Sequence, residues 1–274
     1  MPASPRWPRL PRMSDLDLDL AMQTARRAAE AGGMAAMRHF RTGVRVELKP
    51  DRSPVTAADR EAEAAIVEVI RSRHPGQAIL GEETGAHAGA EGARWIVDPV
   101  DGTRGFTRGG TFWGPLVALE VDGQVVAGAM AMPALGELFW AARGLGAWRA
   151  VGSGAPERLR VSGIAAWEES TLSLGEQRFL LAPALREQVN RLTVTAAQAR
   201  GYGDLAGCAM VLTGRAEAFV EAGVQVWDIA PLQILIEEAG GRFTDLAGAP
   251  THLNGGCVAS NGLVHEHVLR ELRG

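Results

Sequence analysis

Residues 95–106, WIVDPVDGTRGF, constrain this chain more than any other stretch. The apolar β-formers Trp95, Ile96 and Val97 run straight into Asp98-Pro99-Val100-Asp101-Gly102-Thr103. A buried strand therefore delivers two carboxylates, three residues apart, to its C-terminal end. Pro99 lacks an N–H and is expected to end the ladder there. Gly102 allows close backbone approach, and the amides of Gly102 and Thr103 are free to face an anion. Carboxylates at a strand tip suit a hard divalent cation that takes oxygen ligands, Mg²⁺ above all. For a lone DxxDGT, a capped strand-to-turn junction with solvated acids is the better explanation.

Three other acidic segments bear on that choice. Gly81-Glu82-Glu83-Thr84 follows Ile79-Leu80 and puts a second acidic pair at a strand end. Asp59 follows Ser53-Pro54-Val55-Thr56 and opens a helical run through Ile66, Val67 and Ile70. Trp227-Asp228 opens another run, closed by Gly240-Gly241. Each has a local explanation: Asp59 as a first-turn acid behind a Thr56 cap, Asp228 as an N-cap.

Taken in order, Asp59, Gly81-Glu82-Glu83, Asp98-Pro99-Val100-Asp101-Gly102-Thr103 and Trp227-Asp228-Ile229-Ala230 resemble the inositol monophosphatase-like family of Mg²⁺-dependent, Li⁺-sensitive phosphatases. The resemblance implies a layered αβαβα sandwich of the sugar-phosphatase type, an α/β fold with its metal site between two halves. It assigns Glu82, Asp98 and the Val100 carbonyl to one ion, and Asp98, Asp101 and Asp228 to a second. Glu82 would also help a weaker third ion, and Glu83 is a less clear ligand. Thr103 and Asp59 would orient and deprotonate the attacking water while the Gly102 and Thr103 amides grip the phosphate. Carboxylates so clustered repel one another without metal, so two or three Mg²⁺ ions would also stabilise the fold. Two departures stand out. Pro231 replaces a small residue in a first helical turn that tolerates it, and Gly105 replaces the Asn or Ser common after DGT(K/R).

Two stretches select among phosphate esters. Phe106 to Gly114, FTRGGTFWG, and Gly201-Tyr202-Gly203-Asp204 resemble the histidinol-phosphatase branch of that family. Asp204 would open a helix that ends near Glu221, and both carboxylates suit a ligand carrying an ammonium and an imidazole. The competing explanation is that Asp204 only caps its helix. Trp113 and Arg104, beside the DGT turn, are the other candidate substrate contacts. The implied activity is metal-dependent hydrolysis of histidinol phosphate. The alternatives are an inositol monophosphatase, or a broader sugar-phosphate or nucleotide phosphatase. More remotely, the chain is a catalytically silent metal-binding relative.

Composition fits that frame. A net charge of −4 and the lack of a basic run beyond the first dozen residues argue against a nucleic-acid partner. No stretch is long and apolar enough to suggest a membrane span. Cys208 and Cys257 sit in apolar surroundings without metal-ligand spacing, as buried thiols of a reducing, cytoplasmic compartment would. The six histidines form no constellation, and His265 and His267 read as surface residues.

Organisation is expected as a disordered Pro- and Arg-rich leader (1–13), an N-terminal half (14–151) and a C-terminal half (152–274). Met13 is a candidate start, with Ser14 as a helix cap. Helices are expected over 14–40, from Asp59 to before His74, and over 183–192, 204–213 and 228–239. Val44, Val46 and Leu48 alternate like a strand. Antiparallel strands are expected over 112–121, 124–132, 137–142 and 147–151, the first pair turning at Asp122-Gly123. The resemblance implies a homodimer, to which apolar residues such as Trp140, Trp148 and Trp167 would contribute.

Overall fold

The computed structural model describes residues 16–274. The leader, Met13 and the Ser14 cap lie outside the described residues. Helix α1 (Leu18–Met37) starts instead at Asp17, whose carboxylate accepts the Leu20 N–H at 2.9 Å. Its buried face is mostly alanine and glycine, which lets the helix lie close on the sheet beneath it.

The strand expected through Val44 and Val46 is absent; only β1 (Glu47–Leu48) pairs, with β2 (Pro54–Val55). Val46 and Leu48 are exposed, so the alternation has no core to face. Helix α2 (Ala57–Arg73) follows, then β3 (Gln77–Gly81), β4 (Gly85–His87), β5 (Ala90–Asp101) and the single turn α3 (Thr103–Thr107). Strands β6 (Gly114–Val121), β7 (Gln124–Met132), β8 (Glu137–Ala142), β9 (Gly146–Val151) and β10 (Glu157–Arg158) complete the first sheet. Its order is β10-β9-β8-β7-β6-β5-β3-β4, antiparallel except where β3 runs parallel to β5. Asp122 and Gly123 both take positive φ, the primed turn their sequence predicts between β6 and β7.

Beyond it come β11 (Thr171–Leu174), α4 (Gln177–Leu180), α5 (Arg186–Thr195), β12 (Gln198–Arg200), α6 (Asp204–Leu212), β13 (Ala218–Ala222) and α7 (Val226–Glu238). Strands β14 (Arg242–Thr244) and β15 (Gly256–Ser260) and helix α8 (His265–Arg273) end the chain. The second sheet is ordered β12-β11-β13-β15-β14.

Helices α1 and α2 cover one face of the first sheet, and their apolar residues join Trp95, Val97 and Trp140 in one cluster. Helices α6 and α7 fill the space between the sheets; Ile96, Leu116 and Met130 meet Leu205, Leu235, Phe219 and Cys257 there. Helices α5 and α8 close the outer face of the second sheet. Five layers, αβαβα, result.

Two local expectations are corrected. Pro231 is the sixth residue of α7, not part of its first turn, so its missing N–H withdraws the helical donor from the Trp227 carbonyl. His265 is fully buried between the Thr244 hydroxyl (3.0 Å) and the Ser260 hydroxyl (2.8 Å), and His267 stacks on Trp167. Burial, helped by nearby Arg242, lowers the His265 pKa to about 4, so this imidazole is a neutral packing element near pH 7. Both cysteines are buried free thiols.

Candidate active site

Pro99 does not end β5. Asp98 pairs with Leu116 and Asp101 with Gly114, so Pro99 and Val100 together face Pro115 alone. This is a β-bulge, with one extra residue on β5. Its consequence is chemical. In a regular strand, residues three apart point to opposite faces; the extra residue resets the alternation and turns Asp98 and Asp101 to the same side. Asp228 meets them there. One oxygen from each of Asp98, Asp101 and Asp228 lies within 4.8 Å of the others.

Two helix N-termini point at this cluster. Leu205 N–H, in the first turn of α6, donates to Asp101 Oδ2 at 2.8 Å. Asp228 stands in the first turn of α7 and accepts the Gln225 N–H at 2.7 Å. It is the third-position member of a capping box, not the N-cap itself. The positive helix ends offset part of the crowding, yet burial and mutual repulsion still raise the pKa of each group. Burial first, then Glu82, Asp101 and Asp228, holds Asp98 well above the usual carboxylate range. Burial, with Asp204 and Asp228, does the same to Asp101, and burial together with Glu82 and Asp204 pushes Asp228 up to about 6. An all-oxygen set of mutually repelling acids is suited to a hard divalent cation.

Glu82 and Glu83 follow β3, next to β5. Sequence reasoning missed their partner: the Lys49 ammonium lies 2.7 Å from Glu82 Oε1 and 2.6 Å from Glu83 Oε1. Burial opposes its charge, but the bonds to both glutamates raise its pKa above the usual lysine value. Glu83 rises to about 7, chiefly through burial. Lys49 follows a segment whose alternation found no core, and no periodic signal marked it. Glu63 was also missed, although it lies one turn after Asp59 on the same face of α2, a spacing visible in the sequence.

Asp59 has both the structural and the candidate functional contacts. Its Oδ2 accepts the Thr56 N–H and hydroxyl, each at 2.7 Å, closing the capping box of α2. Its Oδ1 faces the Thr103 hydroxyl at 3.3 Å, and the same hydroxyl lies 2.9 Å from the Val100 carbonyl. Burial raises the Asp59 pKa against the bonds from Thr56. Gly102 caps α3 at φ 78°, and a Cβ there would lie 2.6 Å from the Phe112 carbonyl. Glycine is required on both grounds. The amides that open α3 have no helical acceptor behind them.

Asp101, Asp204, Glu221 and Asp228 line one small recess. Glu221 is 4% exposed and sits on β13; α6 ends at Leu212, so the expected helix does not reach it. Its carboxylate accepts the Glu176 and Ala222 amides at 2.7 and 2.9 Å, and burial pushes its pKa to about 7. Asp204 is the first residue of α6 behind a Gly203 cap, at φ 43°, and its carboxylate makes no hydrogen bond among the described residues. The helix-cap explanation for Asp204 therefore fails. The residue as a whole is exposed, but its Oδ2 lies beside Gly102, and desolvation with the Glu176 charge brings its pKa to about 6. Trp113 does not line the recess, although its Cα lies beside Gly102. It is fully buried against Phe106 and Phe40, which corrects its expected role beside a substrate. Arg104 is exposed and reaches the Arg52 carbonyl at 3.3 Å.

Known proteins are similar to this chain along most of its length. The model of the inositol monophosphatase family matches residues 17–274. A histidinol-phosphatase of Mycobacterium tuberculosis is 41% identical over 95% of this chain and 99% of its own length. An inositol-1-monophosphatase of Mesorhizobium japonicum is 34% identical, covering 90% and 93%. The solved structure of the extragenic suppressor protein suhB from Bartonella henselae matches with a TM-score of 0.82 at 29% identity, covering 93% of this chain and 98% of that one. With its bulged DPxDGT strand and convergent carboxylates, this chain belongs to the inositol monophosphatase family.

Proposed function

We propose that this protein is a Mg²⁺-dependent phosphatase that hydrolyses histidinol phosphate to histidinol and phosphate. The observation that carries the chemistry is the convergence of Asp98, Asp101 and Asp228. Glu82, Asp98, Asp101, Asp228 and the Val100 carbonyl would hold the ions. When bound, Mg²⁺ supplies positive charge that neutralises phosphate oxygens and acidifies the attacking water.

The chain's own residues do the rest. Gly102 and Thr103 amides hold the phosphate at the start of α3. The Thr103 hydroxyl orients the water, whose oxygen forms the new P–O bond as the ester P–O bond breaks. The proton lost by the water moves through Thr103 Oγ1 toward Asp59 Oδ1, and the leaving alkoxide takes one from solvent.

The substrate reading rests on Asp204 and Glu221, two carboxylates in the same recess that suit a cationic alcohol better than a neutral polyol. Proteins 41% and 38% identical to this chain bear the name histidinol-phosphatase, which supports it. Inositol phosphate is the second reading, favoured by the 34% identical inositol-1-monophosphatase. Phosphate release from histidinol phosphate should vanish with a chelator and return with Mg²⁺; release that ignores both would end the proposal.

No described helix is long and apolar enough to cross a membrane. We place the protein in the cytoplasm as a Li⁺-sensitive homodimer. Fractionation, activity across rising Li⁺ and light scattering check the three points; membrane recovery, indifference to Li⁺ or a monomer would each remove one.

A further inference from the structure

Glu63 is a buried carboxylate, 1% exposed, that takes no part in the site as described above. It stands four residues after Asp59 on α2, so one helix face carries both acids. Its oxygens are taken up by the turn that bears Glu82 and Glu83. Oε2 accepts the Glu83 N–H at 2.8 Å, Oε1 accepts the Thr84 N–H at 2.9 Å, and the Thr84 hydroxyl donates to Oε1 as well. The turn closes directly over the carboxylate. A Cβ on Gly81 would lie 2.5 Å from Glu63 Oε1, so glycine is what lets β3 end there.

Three donors on one buried carboxylate fix that turn against α2, and α2 is the helix that already fixes Asp59 opposite Thr103. We propose that Glu63 is a positioning residue: it clamps the Gly81–Thr84 turn so that the Glu82 carboxylate stands at the acidic cluster, and so sets metal affinity without touching the metal. This rests on reading the cluster as a metal site. Groups that hold metal ligands from behind commonly cost 10–100-fold in affinity when removed. In Glu63→Gln one oxygen becomes an NH₂ facing a backbone N–H, which breaks the clamp while keeping side-chain volume.

The test is Mg²⁺ binding by calorimetry on the metal-free, full-length wild type, Glu63→Gln and Thr84→Val, with melting temperature and steady-state kinetics on each. Wild type should bind Mg²⁺. Glu63→Gln should bind roughly 10–100-fold more weakly, yet recover kcat to within about threefold of wild type at saturating Mg²⁺, as an affinity effect requires. Thr84→Val, which removes one of the three donors, should weaken binding in the same direction by less. If wild type binds no Mg²⁺, the metal reading itself falls. If wild type binds and folded Glu63→Gln binds equally well with a lowered melting temperature, Glu63 only ties α2 to the turn and the positioning role is overturned. Should Glu63→Gln fail to fold, unchanged affinity in Thr84→Val overturns it instead.

Discussion

Asp204 offers the sharpest perturbation, and the structure decides which substitution to make. Its φ of 43° lies in the left-handed region, where alanine costs about 1–2 kcal/mol and asparagine is tolerated. Asp204→Ala would therefore mix backbone strain with loss of charge, a drop of roughly 2–4 °C per kcal/mol in a chain this size. Asp204→Asn keeps shape and backbone and removes only the charge. Because the carboxylate bonds no helix amide and faces Glu176, Asp101 and Glu221, its neutralisation relieves repulsion. The metal-free variant should melt at or above wild type. If Asp204 holds the ammonium of histidinol phosphate, the loss is that of a charge-assisted hydrogen bond, about 1.5–3 kcal/mol. That is roughly ten- to a hundredfold in kcat/KM. Steady-state kinetics on histidinol phosphate and inositol 1-phosphate in the same variant read it out: a large loss on the first, less than about threefold on the second. Equal losses on both esters, or none on either, would refute the substrate role.

Asp98→Asn should abolish turnover and leave a folded protein, since a ligand shared by two ions loses its charge; near-normal turnover would remove that assignment. Thr103→Ala should lower kcat with Mg²⁺ affinity little changed, and a collapse of affinity by calorimetry would place Thr103 among the ligands instead. The pH dependence has a definite sign. Asp204 and Asp228 near 6 and Glu221 near 7 are raised above an unfolded value of about 4. Their contribution to stability is present at low pH and lost as pH rises through those values. The metal-free melting temperature should fall between about pH 4 and 7, and saturating Mg²⁺, which binds the ionised form, should restore it. A metal-free melting temperature that rises over that range contradicts the repulsion argument.

The sequence made the ligands legible because each acid sits at an element end marked by local chemistry: β-formers before Asp98, Thr56 before Asp59, a helical run after Asp228. The bulge was less legible. Proline reads as a ladder stop, and only the pairing with β6 shows the ladder resuming one residue out of step. Trp113 and His265 were misplaced because a single aromatic or histidine carries no directional signal; tertiary packing put both in cores. Lys49 was invisible because its partners, Glu82 and Glu83, lie far along the chain.

We propose that a carboxylate-lined metal site here hydrolyses a cationic phosphate ester. The most direct test is kcat/KM for histidinol phosphate against inositol 1-phosphate, measured side by side on the wild-type protein at saturating Mg²⁺. The recess formed by Asp204 and Glu221 predicts a preference for histidinol phosphate that collapses in Asp204→Asn. A preference for inositol 1-phosphate would contradict it.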